Sequence, residues 1–168
     1  MRVILWAAAV VTVALVAAGG RADEETLPLD KLPKAVADAV KTRFPKAELV
    51  EAAKETEGDK TEYEVTIKDG DTKIDVMLTP DGKITLIEKE IAAKDLPKAV
   101  TEALDAKYPK ATLKMAEEVI KVTDGKEAID FYEVLLVTAE KKTFEVKLTA
   151  EGKITETEDK TEEKKEKK

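Results

Sequence analysis

The sequence contains no cysteine, histidine, serine, asparagine or glutamine. Without cysteine there is no disulfide framework and no thiol nucleophile. Without histidine there is no imidazole base, and the two absences together remove the usual zinc donors. The lack of serine excludes every serine-nucleophile triad. Carboxylates, lysine, threonine, tyrosine and backbone groups are what remains for chemistry. Carboxylate-only catalysis of the glycosidase kind requires a cleft, which small modules rarely enclose. No catalytic residue, cofactor or metal site is therefore expected.

What is present begins with a segment unlike the rest. Met1-Arg2 gives a basic start, Val3 to Ala18 carries no charge, and small residues follow up to Ala22 before Asp23-Glu24-Glu25. A short basic region, an apolar core and a small-residue exit are the parts of a secretory signal peptide. Residues 1–22 are expected to be that leader, with cleavage after Ala22 favoured over Gly19. The alternative is an uncleaved anchor, although the 16-residue apolar run is short of the ~20 that span a bilayer. Removing the leader takes Arg2 and Arg21 from 29 basic residues and no acid from 36, so the mature net charge is −9. Such a chain is a poor partner for nucleic acid or an anionic membrane, since neither phosphate neutralisation nor steering favours it. A periplasmic or secreted location follows.

An internal repeat organises the remainder. Leu32-Pro33-Lys34-Ala35-Val36 returns 64 positions later as Leu96-Pro97-Lys98-Ala99-Val100. Phe44-Pro45-Lys46-Ala47 returns as Tyr108-Pro109-Lys110-Ala111. Tyr63-Glu64-Val65 matches Tyr132-Glu133-Val134 at an offset of 69, and Thr79 to Thr85 matches Thr149 to Thr155 at 70.

Each copy opens on a helix. Leu32, Val36, Val40 and Phe44 are spaced by four, as are Leu96, Val100, Leu104 and Tyr108, which makes one apolar stripe per helix. Pro33 and Pro97 suit a first turn, where a missing N–H costs nothing. Pro45 and Pro109 disfavour helical geometry at the preceding residue and end each helix. Alternation then takes over: Tyr63, Val65 and Ile67 face one way and Glu62, Glu64, Thr66 and Lys68 the other. Ile74, Val76 and Leu78 alternate in the same manner, as do Phe144, Val146 and Leu148. Period two with one apolar face predicts antiparallel strands half-covered by a helix. Turns are expected at Gly58-Asp59, Asp69-Gly70 and Pro80-Asp81-Gly82, and at Asp124-Gly125, Glu140-Lys141 and Glu151-Gly152. With weaker strands near Glu48–Thr56 and Lys83–Glu90, the expected fold is α+β. It comprises two tandem modules, 29–91 and 94–156, each a helix packed on a four-stranded antiparallel sheet. Residues 157–168 lack apolar side chains and are expected to be a disordered charged tail.

Leu32-Pro33, Phe44-Pro45-Lys46-Ala47, Tyr63-Glu64-Val65 and Asp81-Gly82-Lys83-Ile84, with their partners in the second half, resemble the PepSY-like family, also described as β-lactamase-inhibitor-like. The resemblance covers nearly all of residues 29–156. It implies an exported protein with a helix on an antiparallel four-stranded sheet, twice over. The related inhibitor fold grips another protein with the uncovered face of its sheet. The resemblance brings no catalytic residue with it.

Comparing the two copies locates a candidate surface. On the face opposite the covered one, Glu62, Thr66 and Lys68 of the first copy become Phe131, Leu135 and Val137 in the second. Moving three such side chains into a partner is worth several kcal/mol at about 25 cal/mol per Å², and leaving them wet invites aggregation. Phe131, Leu135 and Val137, with Met77 from the first module, are the expected contact residues for a protein or peptide partner in the envelope. Packing of one module on the other and self-association are the competing ways of covering them. The acidic turn residues Asp69, Asp71, Asp81, Asp124 and Glu127 raise the alternative of a structural or sensory envelope protein that binds a small ligand or a divalent cation. Calcium, however, wants six to eight oxygens, and no stretch has the spacing of an EF-hand loop.

Overall fold

A computed structural model describes residues 23–161, so the expected leader at 1–22 and the end of the expected tail lie outside the described residues. Strand β1 (Asp23–Thr26) is followed by helix α1 (Lys34–Arg43) and strands β2 (Glu48–Glu57), β3 (Lys60–Asp69), β4 (Thr72–Leu78) and β5 (Ile84–Glu90). Helix α2 (Lys98–Lys107) then precedes β6 (Thr112–Thr123), β7 (Lys126–Val137), β8 (Thr143–Leu148) and β9 (Ile154–Asp159). A 3-10 turn leads into each helix, at Leu29–Lys31 and Ala93–Asp95. The order of helix then four strands therefore occurs twice, but the strands do not form two sheets. All nine lie in one antiparallel sheet in chain order, with β5 paired to β6 across the boundary between the repeats.

The helices start where the prolines permit. Pro33 and Pro97 sit at the N-caps, and Phe44 and Tyr108 close the helices by donating their N–H to Val40 and Leu104. Lys41, Arg43 and Lys107 occupy the last turns, where cations complement the helix dipole. Val36 and Val40 meet Val65, Ile67, Ile74, Val76 and Leu78 in one core. Val100 and Leu104 meet Val134, Leu136, Val146 and Leu148 in another. Each fully buried Val or Leu is worth about 1.5–3 kcal/mol. Strand β6 shows that both helices cover the same face. Its Ala116 belongs to the second core and Ile120 packs on the first, four residues apart and so on one side of the strand.

The turn between β4 and β5 closes against α1. A Cβ on Gly82 would lie 2.5 Å from the Ala35 carbonyl oxygen, and Gly82 has φ +84°. Gly152 makes the equivalent approach to Ala99 of α2. At the join of the two repeats three ion pairs add to the β5–β6 ladder. The Arg43 guanidinium donates to both oxygens of Glu127, at 3.0 and 3.1 Å. Lys89 pairs with Glu118 at 3.3 Å and Lys83 with Asp124 at 3.5 Å.

The boundary of the charged tail lies further along the chain than residue 157. Strand β9 continues to Asp159, and the Thr161 hydroxyl accepts from the Thr143 N–H at 3.1 Å. Residues 157–159 have no apolar side chain, but the backbone of β8 holds them. Cross-strand pairing is a source of order that composition does not report.

Candidate functional site

The face that neither described helix covers carries the alternate residues of every strand. Its register runs across the sheet in rows. Thr66 of β3 lies opposite Asp75 of β4, which lies opposite Glu88 of β5. Glu88 is opposite Val119 of β6, and Val119 is opposite Phe131 of β7. A neighbouring row passes from Glu90 through Glu117, Glu133 and Lys147 to Glu156. A third joins Met115, Leu135, Glu145 and Glu158.

All four expected contact residues lie on this face. Phe131, Leu135 and Val137 stand at alternate positions of β7 and are half-buried. They form one stripe, with Leu135 opposite Met115 and Glu145, and Val137 opposite Thr112 and Thr143. Met77 is not beside them. It lies on β4, opposite Glu64 and Leu86, with β5 and β6 between it and β7. At ~4.8 Å per strand that is roughly 14 Å, so Met77 shares the face without sharing the stripe.

The strands from β4 to β7 also carry buried acids on this face. Asp75, Glu88, Glu117 and Glu133 are 2, 4, 2 and 3% exposed. An acid on a strand that faces away from the helices would ordinarily be solvated, and burial of such a charge is costly unless it is matched. Two of these acids have a cation beside them. Asp75 accepts a hydrogen bond from the Thr66 hydroxyl and another from the Lys73 ammonium, each at 2.6 Å. Lys147, itself buried, places its ammonium 3.8 Å from Glu133 and 3.2 Å from Glu156, and 5.5 Å from the centre of the Phe131 ring. The middle differs. One oxygen of Glu88, one of Glu117 and both of Glu133 have no hydrogen-bond partner.

The electrostatics follow from that placement. Burial, then the charges of Glu117, Glu133, Asp75 and Glu64, push the Glu88 carboxyl up to about 9. Burial and Asp75, opposed by Lys73, push Glu117 up to about 7. Burial and Glu145, opposed by Lys147, push Glu133 up to about 8. Burial also raises Glu145. Burial alone would lower Lys73, but its hydrogen bond to Asp75 and the surrounding acids raise it above an ordinary lysine. This is the pattern of desolvated acids crowded together.

A sequence signal for these acids did exist. Glu64, Asp75 and Glu88 of the first copy correspond to Glu133, Glu145 and Glu158 of the second. The same face of the sheet holds an acid at each of three positions in both copies.

The acidic turn residues do not assemble. Asp81 accepts from the Thr79 hydroxyl at 2.5 Å, while Asp124 and Glu127 are engaged by Lys83 and Arg43. Among the described residues no group of three or more Asp or Glu side chains is arranged to hold a metal ion. Two open clefts of about 400 and 430 Å³ lie at the β6–β7 hairpin and at the Arg43–Glu127 junction. Neither takes in the buried acids.

A sheet with helices on one face and a partly apolar, partly acidic surface on the other defines a one-sided α+β fold. The family model of the PepSY-like proteins, described as β-lactamase-inhibitor-like, matches twice, at residues 21–88 and 79–156. The chain belongs to that family. No curated protein matches it. Among solved structures it is similar to a Bacteroides eggerthii protein described as periplasmic, at TM-score 0.63 and 16% identity over 77% of this chain and 90% of the other. It is similar as well to a DUF2874 family protein of Bacteroides uniformis (TM-score 0.62, 17% identity, 77% and 90%). A BLIP-like protein of Bacteroides fragilis matches at TM-score 0.57 and 18% identity over 80% and 89%. These likenesses define the fold. Among the described residues no helix is long and apolar enough to cross a membrane.

Proposed function

We propose that this chain is an exported, non-catalytic binding or inhibitory protein that takes a protein or peptide partner on the uncovered face of its sheet, in the periplasm or outside the cell. The observation that carries the reading is the stripe of Phe131, Leu135 and Val137, half-buried on the face that both described helices leave open. The stripe stands where the first copy has Glu62, Thr66 and Lys68. Membership of a family described as β-lactamase-inhibitor-like supports a binding role over a catalytic one. The apolar leader and the family's structural relatives described as periplasmic support export. The half-buried state of the stripe suits an interface whose centre is apolar and whose rim is charged.

The test uses the mature chain as bait in an envelope extract, beside the variant Phe131→Glu/Leu135→Thr, which restores first-copy chemistry at two positions. A defined partner should be retained by the parent and released by the variant, with both chains melting cooperatively. Unfolding of the variant would make these residues core and end the proposal.

A further inference from the structure

We propose that the gap in the acid rows at Glu88 and Glu117 is a socket for one cationic side chain, a lysine or arginine supplied by the protein partner. The inference rests on the uncovered face being a binding face and names the chemistry that face would select.

The chain itself shows how such a socket is filled. At one end of the acid field the Lys73 ammonium is hydrogen-bonded to Asp75, and at the other the Lys147 ammonium lies 3.2 Å from Glu156 and, at ion-pair range, 3.8 Å from Glu133. Between those ends, Glu88 and Glu117 come from neighbouring strands, and each has a carboxylate oxygen with no hydrogen-bond partner. Both side chains are more than nine-tenths buried. The largest charges acting on Glu88 are acids, from β3, β4, β6 and β7. Lys73 is the cation acting on Glu117, and it is already bonded to Asp75. Lys121 of β6 shares this face but points to solvent, opposite Leu86. A cation is thus the missing member of the pattern.

The surroundings suit a side chain with an aliphatic stem. Met77 and Leu86 lie on the flank towards β4, and Met115 and Leu135 on the flank towards β7, all half-buried. Methionine is unbranched and adapts its shape to what it meets, and lysine and arginine bury their stems along apolar surface while the head seeks a partner. A second copy of this chain is a poor occupant, because the same face would bring acid against acid.

Proton linkage gives the proposal a signature that surface charge cannot imitate. Near neutrality Glu88 holds its proton and Glu117 is part-protonated, and each must be ionised to pair with a cation. Binding should therefore tighten as pH rises from 6 to 8.5. Ordinary surface carboxylates and lysine do not titrate in that interval. The charged groups that face the pair from other elements are Glu64, Asp75, Lys73, Glu133 and Glu145, with Glu90 beside them on β5. Of these, Glu133 shares the direction of change, since it too sheds a proton as pH rises.

The probe is a fluorescein-labelled octapeptide of alternating leucine and lysine, compared with the same peptide carrying acetyl-lysine, in anisotropy titrations of the mature chain. The expected result is at least tenfold tighter binding of the lysine peptide at pH 8.5 than at pH 6, and no such gain for the acetylated one. The variant Glu88→Gln/Glu117→Gln should lose the gain, whereas Glu102→Gln/Asp105→Asn, which removes two acids from α2, should keep it. A pH-independent affinity for the parent overturns the proposal, as does equal weakening by both variants. Should the glutamine variant fail to fold, the parent's pH dependence with the two peptides decides alone. Capture of an envelope protein that depends on Phe131 and Leu135 but not on Glu88 and Glu117 would leave the binding-face reading standing and remove the socket.

Discussion

On one side of β7 the sheet buries Tyr132, Val134 and Leu136; on the other it buries Glu133, between half-exposed Phe131 and Leu135. The first side is closed by α2, and its side chains need nothing more than contact. The second has no described helix over it, and its buried groups are acids that the chain matches in part. Burial therefore means opposite things on the two faces. On the helix side it is the source of stability, and on the other side it is a cost accepted for a surface with strong, unfilled chemistry.

Substitutions on the two sides of β7 should therefore move stability in opposite directions. Leu136→Ala, which opens a cavity at a fully buried core position, should cost about 2–5 kcal/mol in denaturant titrations. Gly82→Ala tests whether the β4–β5 turn must touch α1. Its Cβ would collide with backbone at a left-handed φ, and a loss of about 1–3 kcal/mol is expected from strain of this kind. Glu133→Gln should do the reverse, raising stability at pH 9, on the order of a few kcal/mol, and leaving it little changed below pH 4.5.

The sign of that pH dependence follows from the direction of the shifts. Glu88, Glu117 and Glu133 are raised to about 9, 7 and 8. From about pH 4.5 upward the unfolded chain has released protons that the folded chain still holds, so folding takes protons up. Stability is therefore greatest below that pH as far as these three groups are concerned, and it falls as pH rises until each folded-state value is passed. A melting temperature higher at pH 5.5 than at pH 8.5 is expected, with a slope reduced in Glu133→Gln. A flat profile would mean that the acids are solvated and the two faces less different than described. The smallest effect belongs to Arg43→Ala. That exposed bidentate pair with Glu127 should contribute no more than about 1 kcal/mol, and less in high salt.

Much of the fold was legible because its signals are local. The four-residue spacing of Val36 and Val40, the alternation of Val65 with Ile67 and of Ile74 with Val76, and the glycine turns each report their own geometry. The pairing of β5 with β6 was not legible. Nothing in Ile84–Glu90 names Thr112–Thr123 as its neighbour, with a helix intervening. The apolar stripe of Phe131, Leu135 and Val137 was found by asking where the two copies differ. The buried acids were not legible from one copy alone, because Glu64 and Glu133 lie inside a Tyr-Glu-Val repeat whose other two residues serve the core. An acid alternating with valine has the pattern of a solvated strand face, and period two says which way a side chain points, not whether water is there. The repeat's constancy at Glu64/Glu133 and Asp75/Glu145 was the usable signal.

The unbroken strand order has a consequence for how such a chain is made. Every strand is bonded only to the strands just before and just after it in sequence. A chain that emerges N-terminus first from a narrow channel offers each strand its template moments after that template has appeared, and no strand waits for a distant partner. Assembly can advance like a closing zip from β1 to β9, with short loop closures at most steps. The growing edge advances along the chain while β1 stays the other edge, and in the described sheet the growing edge ends at β9, whose Glu156, Glu158 and Asp159 deter a further strand from joining.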